Sequence, residues 1–167
     1  RAETSEGLKA RWESEANFRM VDEFPTVLLF SFGVNAANHA EDRGEETTMR
    51  VSPAKSAANA AEIIGAASKL APTLWVGPQA VINGSKSSQE INQRLEGLNQ
   101  IYLETARGFH VPYLDLLATT LEDDTWHRAL RRGDGYHPDK AGYDRLADLI
   151  WEWGAVQKTI GLLPSSA

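Results

Sequence analysis

Residues 26–33 read Thr26-Val-Leu-Leu-Phe-Ser-Phe-Gly33, a nearly unbroken apolar run stopped by a glycine. A run this short that does not alternate reads as a strand buried on both faces. Pro72-Thr-Leu-Trp-Val-Gly77 repeats the pattern and stops at Gly77-Pro78, and Val111-Pro-Tyr-Leu114 is a shorter third case. Between these runs the period changes. Leu8, Trp12, Ala16 and Met20 recur every four residues. After Ser52-Pro53, an N-cap followed by a first-turn proline, Ala60, Ile63, Ile64, Ala67 and Leu70 keep the helical spacing. Ile91, Leu95, Leu98, Ile101 and Tyr102 share one face of a third helix. A last helix opening at Pro138 is expected to bury Tyr143, Leu146, Ala147, Ile150 and Trp153. The expected helices are 5–19, 53–70, 87–107 and 139–154, and the expected strands 26–32, 72–77 and 111–114. Such alternation implies parallel strands joined by helical crossovers, an α/β protein with helices layered on a parallel sheet. Residues 36–51 and the stretch around Asn83-Gly84 read as loops.

The chain has 167 residues, the size of one domain, and nothing in it resembles an internal repeat or an interdomain linker. Its 42% hydrophobic and 24% charged residues are those of a globular protein. The net charge of −6 argues against nucleic acid as the main partner. There is no cysteine, which excludes disulfides, thiolate metal sites and a cysteine nucleophile. No apolar run is long enough for a membrane-spanning helix. No phosphate loop, dinucleotide fingerprint or zinc spacing occurs, so neither a cofactor nor a metal is expected. The sequence starts RAETSEGLKARW, with neither a methionine nor the apolar stretch of a signal peptide, so it reads as beginning mid-protein and its compartment is not legible.

In a parallel α/β sheet, functional residues collect in loops beyond the carboxyl ends of the strands. Gly33-Val-Asn-Ala36 follows the first strand, and Asp134-Gly-Tyr-His-Pro138 precedes the last helix. Asp134 and His137 form the sharper pair. Pro138 presets a helical turn, and the glycines at 133 and 135 let a carboxylate three residues upstream fold back onto the imidazole. A carboxylate on Nδ1 would leave Nε2 as a general base. The competing reading is an Asp-Gly turn with a surface histidine. Asn35 lies where its amide could stabilise an oxyanion, or serve as a turn residue. Gly77 and Pro78 could line a pocket or merely end a strand. His39, His110 and His127 show no ligand spacing, and Glu45-Glu46 and Asp123-Asp124 read as surface charge or first-turn residues.

Taken in order, F-S-F-G33-V-N35-A, L-W-V-G77-P78 and D134-G-Y-H137-P-D-K-A-G142-Y resemble the later blocks of the SGNH (GDSL-type) hydrolases. The resemblance runs from the first helix to about Trp153, and DGYHP followed by G-Y is its most specific part. It implies a flavodoxin-like three-layer α/β/α sandwich and esterase, lipase or acylhydrolase chemistry through a serine acyl-enzyme. It assigns His137 to the general base, Asp134 to its orienting carboxylate and Asn35 to the oxyanion hole; Gly33, Gly77 and Pro78, at the strand ends, are the expected substrate-binding residues. The implied partner is a small-molecule ester.

Two departures stand out. The family's Gly-x-Asn is usually followed by Asp, and here Ala36 stands, so the local hydrogen bonding of Asn35 differs. The family's Gly-Asp-Ser nucleophile segment is absent, as is the glycine that supplies a second oxyanion donor. RAETSEGLKARW resembles the stretch immediately after that glycine, so residues 1–167 read as one domain whose first strand and nucleophile lie upstream. Ser31 reads as a core position; Ser5, Ser52, Ser85, Ser87 and Ser88 read as caps or loop residues. The rival from another class is a non-catalytic α/β module that binds ligands or mediates association.

Overall fold

A computed structural model describes residues 3–38, 49–82 and 86–161. The expectations for His39, Glu45, Glu46, Asn83, Gly84 and Ser85 fall outside these residues, as does most of the 36–51 loop. The elements run α1 (Ser5–Arg19), β1 (Leu28–Ser31), α2 (Val34–Ala37), α3 (Pro53–Leu70), β2 (Thr73–Val76), α4 (Lys86–Gly108), β3 (Tyr113–Leu114), α5 (Leu116–Glu122), α6 (Asp124–Arg132), α7 (Lys140–Glu152) and α8 (Gly154–Gly161).

The sheet order is β1-β2-β3 and both pairings are parallel. Leu28 stands opposite Thr73, Ser31 opposite Val76, and Trp75 opposite Tyr113. Because successive strands step the same way across the sheet, right-handed crossovers put α3 and α4 on one face. Sequence alternation then divides the core. Phe30 and Trp75, with Trp12 of α1 and Tyr102 of α4, belong to the main apolar cluster. Leu74 and Val76 alternate to the other side, 3% and 1% exposed, and like Leu116, Trp126, Ala129 and Leu130 they are buried outside that cluster. The result is the expected three-layer α/β/α architecture on a parallel sheet. The helices of the main face keep their predicted stripes, with Ala60, Ile63, Ile64, Ala67, Ile91, Leu95 and Leu98 at 0–1% exposure.

Four expectations need correction. The first strand is not buried on both faces: Leu29 is 51% exposed and Ser31 is exposed, so Ser31 is no core position. Trp12 packs edge-on against Phe30 at 5.5 Å and covers one face, while no described residue pairs with the strand's outer edge. Secondly, α7 buries only Gly142; Tyr143 is 53% exposed, and Ala147 is exposed. Its contact is close backbone packing, since a Cβ on Gly142 would lie 2.4 Å from Pro138 and 2.8 Å from Ala129. Apolar periodicity could not report a helix that docks through a glycine. Thirdly, Leu70 at the end of α3 is 38% exposed. Lastly, Ser5 is not a cap. It is 1% exposed, and its Oγ accepts a 3.1 Å hydrogen bond from Asn59 Nδ2, tying the start of α1 to α3.

Asp123 is also more than surface charge. Its carboxylate caps α6 by accepting from Trp126 N at 2.9 Å and receives Arg145 Nε from α7 at 2.7 Å. Those bonds to the backbone and to the Arg145 guanidinium hold its carboxyl below the usual range, against the pull of burial. The cap seats Trp126, fully buried, whose indole N–H donates to Ala80 O at 3.0 Å. Trp126→Phe would keep most of the apolar bulk but orphan that carbonyl, at a cost of about 1–3 kcal/mol. Urea denaturation should show that loss, whereas Trp151→Phe at a 61% exposed position should stay within about 0.5 kcal/mol.

Candidate active site

Three loops meet at the carboxyl end of the sheet. The first follows β1. Gly33 has φ +134°, and a Cβ there would lie 3.0 Å from Tyr102 Cε2 and 3.3 Å from Pro78, so both the backbone and the space demand glycine. The turn launches α2, whose Ala36 and Ala37 bury while Asn35 stays partly accessible. Arg94 Nη1 donates to Ala37 O at 3.2 Å and holds the far end of this short helix.

The second loop follows β2, and hydrogen bonds hold it at successive residues. Gly77 N donates to Leu114 O at 2.9 Å. Ala80 N donates to Thr120 Oγ1, the Asn92 amide bonds Val81 at both N and O, and Ile82 N donates to Gly135 O. A Cβ on Gly77 would strike Tyr113 Oη at 2.3 Å. That phenol donates to Asn99 Oδ1 at 2.6 Å, and burial raises its pKa.

The third loop carries Asp134 and His137. Asp134 Oδ1 accepts from Tyr136 N at 2.9 Å and His137 N at 2.7 Å, while Oδ2 faces His137 Nδ1 at 2.8 Å. An ionised carboxylate can only accept, so Nδ1 carries the proton in this pair and Nε2 is left as the basic nitrogen. The loop shape rests on glycines for two different reasons. Gly135 has φ +86°, and a Cβ on Gly133 would fall 1.8 Å from the His137 carbonyl oxygen. Pro138 then leads into Asp139, whose carboxylate caps α7. Tyr136 Oη donates to Asn38 Oδ1 at 3.1 Å, joining this loop to the end of α2.

The Asp134 and His137 side chains are 61% and 77% exposed, so their ion pair adds little to stability. The hydrogen bond from His137, reinforced by the two backbone amides, holds the Asp134 carboxyl down to about 2.

A cavity of about 270 Å³ opens beside Asn35, lined also by Glu3, Arg11, Ser31, Gly33 and Gln79. Gly77 and Pro78 do not line it: Pro78 backs Gly33, and Gly77 packs against Tyr113. Gln79, half-buried at the cavity, is the residue of this loop that sequence reading missed; its only signal is its place just past the second strand. Asn35 Nδ2 donates to Glu3 O at 3.0 Å, a contact 32 residues away in the chain. Among the described residues no three His, Asp or Glu side chains gather as a metal would need. Nor is any described helix long and apolar enough to cross a membrane.

Two measurements check this geometry. Gly133→Ala must displace the His137 carbonyl, costing about 1–3 kcal/mol in chemical denaturation. Asp134 should titrate near 2 by carboxyl NMR. Because its folded pKa lies below the ordinary 3.8, the loop's stabilisation by Asp134 is complete above about pH 4 and disappears as pH falls towards 2.

A family model for GDSL-like lipase/acylhydrolases matches residues 1–145. A search of curated protein sequences returned no match. Among solved structures, the lipase/acylhydrolase from Enterococcus faecalis superposes with a TM-score of 0.70 at 22% identity, over 98% of this chain and 73% of that one. A mutant of Axe2, an acetyl-xylooligosaccharide esterase from Geobacillus stearothermophilus, does so with 0.69 at 19% identity, over 96% and 69%. LAE5, an alpha/beta hydrolase enzyme from the metagenome of Lake Arreo in Spain, gives 0.70 at 16%, over 93% and 69%. These likenesses carry the fold, and the family model, spanning most of the sequence, carries the kinship: the chain belongs to the GDSL-like lipase/acylhydrolase family.

Proposed function

We propose that this chain holds the general base, its orienting carboxylate and one oxyanion donor of a carboxylic ester hydrolase working through a serine acyl-enzyme. The observation that carries the reading is the 2.8 Å contact between His137 Nδ1 and Asp134 Oδ2, which leaves Nε2 as an accessible base. In the first half-reaction a serine oxygen bonds to the ester carbonyl carbon while its proton passes to Nε2. The carbonyl π pair moves onto oxygen, and the Asn35 amide donates to the resulting oxyanion. Collapse breaks the bond to the alkoxy oxygen, which leaves as the alcohol with the proton from His137. Water then repeats the sequence on the acyl-enzyme and releases the carboxylic acid. Asp134 stays ionised throughout and stabilises the imidazolium.

The nucleophile is assigned to a segment that these 167 residues do not contain. In support, Ser5 is bonded to Asn59, Ser52 caps α3, Ser56 is fully buried, and Ser68 Oγ donates to Gly65 O. Ser31 is exposed, but it precedes Gly33 on a strand with no Gly-Asp lead-in. The unpaired outer edge of β1, with Leu29 half exposed, is the place proposed for that segment, since an open apolar edge otherwise invites aggregation. The substrate class is a small-molecule ester. A ligand-binding module without turnover is the second reading; the absence of a Gly-Asp-Ser segment from these 167 residues favours it.

The test compares the 167-residue chain with a longer form that supplies the segment, using a fluorophosphonate probe and p-nitrophenyl acetate. The longer form should label on one added serine, and His137→Ala should abolish labelling. Asn35→Ala should lower kcat by about 10²–10³ with little change in KM. The shorter chain should stay unlabelled; stoichiometric uptake at Ser31 or any other of its serines would overturn the assignment. A longer form that folds but neither labels nor turns over ester would favour the binding module.

A further inference from the structure

The side-chain amide of Asn35 can present either its nitrogen or its oxygen to the cavity, since a half-turn about the Cβ–Cγ bond exchanges them at almost no steric cost. Only the nitrogen can donate to an oxyanion. The choice is made by a neighbour. Glu3 O accepts one Nδ2 proton at 3.0 Å, and the flipped amide would set two carbonyl oxygens against each other. With one N–H so engaged, the second remains to donate.

Glu3 is itself held. Arg11 Nε donates to Glu3 Oε1 at 2.9 Å and Oε2 at 3.0 Å, and Arg11 Nη2 also pairs with Oε2. Glu15, one turn further along α1, takes Arg11 Nη1 at 2.6 Å and keeps the guanidinium in place. A second observation is independent of charge. Gly7 is the third residue of α1, where alanine is the better helix former. A Cβ there would lie 2.8 Å from Glu3 Oε1 and 3.0 Å from Glu3 Cγ. An alanine there would push the Glu3 side chain from its place over the first turn.

We propose that Glu3, Arg11 and Gly7 are positioning residues that fix the orientation of the Asn35 amide, so that its nitrogen faces the reacting carbonyl. The proposal rests on Asn35 being the oxyanion donor, and it deepens that reading. The neighbouring Ala36 side chain offers no acceptor, and the partner of the asparagine is the carbonyl of residue 3.

The experiment has a structural arm and a kinetic arm. In the 15N-labelled 167-residue chain, the Asn35 side-chain amide should show one downfield, exchange-protected proton. Arg11→Met and Gly7→Ala should each move that pair towards free-amide positions. Gly7→Ala is the sharper variant, because a glycine serving only the helix predicts a neutral or higher melting temperature and an unmoved amide. In the longer, active form both variants should lower kcat about 10-fold with KM within about 2-fold, less than the loss on deleting the donor. An Asn35 amide unmoved in both variants overturns the proposal. So does an unchanged kcat in both when Asn35→Ala still lowers kcat by its full factor. If the amide moves but Asn35→Ala itself leaves kcat intact, the oxyanion assignment has failed and the positioning contact stands.

Discussion

The structure depends on one topological constraint: three parallel strands taken in sequential order. Each step from β1 to β2 to β3 needs a crossover, and right-handedness sends both crossover helices to the same face. That puts Phe30, Trp75 and Tyr102 in one packed layer, which Trp12 of α1 joins, with Trp75 and Tyr102 centroids 4.9 Å apart. It also fixes which end of the sheet carries the loops, because every parallel strand delivers its carboxyl end to the same side. Asn35 and Gln79 stand just past the ends of β1 and β2 for this reason. The loop of Asp134 and His137 reaches the same end through Gly135, whose carbonyl takes the Ile82 amide.

Within that frame the polar groups of the site are held mainly by backbone partners. The Asp134 carboxylate takes two main-chain N–H groups before it takes the imidazole, and the Asn35 amide is aimed by a main-chain carbonyl. Exposed ion pairs are screened and pay side-chain entropy, so the charge between Asp134 and His137 could not by itself hold a geometry. Backbone groups are already ordered by the fold, and bonds to them transmit that order. The glycines at 33, 133 and 135 permit the approach, two through φ values unfavourable to other residues and one through a distance no Cβ allows.

Much of this was legible in the residue order. Short apolar runs marked the strands, two of them ending in glycine, and α1 and α3 begin and end at the expected residues, because burial selects apolar residues at the spacing each element imposes. Ser52-Pro53 announced a helix start through local chemistry, and Ser52 does accept from Lys55 N. Asp134-Gly-Tyr-His-Pro138 was readable for the same reason: every partner of the Asp134 carboxylate lies within three residues. Where partners are distant, the signal disappears. Nothing near Ser5 points to Asn59, nothing near Asp123 to Arg145, and nothing near Trp126 to Ala80.

The sequence by itself therefore determined the fold class, the order and type of the main elements and the local pairing of Asp134 with His137, since periodicity and short-range sterics act within a few residues. Only the tertiary structure decided which strand stands at the edge, that α7 docks through Gly142 rather than an apolar stripe, that Gln79 reaches the cavity while Gly77 does not, and that residue 3 holds the amide of residue 35. These are contacts between segments brought together by the crossovers. Their geometry depends on the summed packing of α1, α3 and α4 on the sheet, which no local pattern encodes.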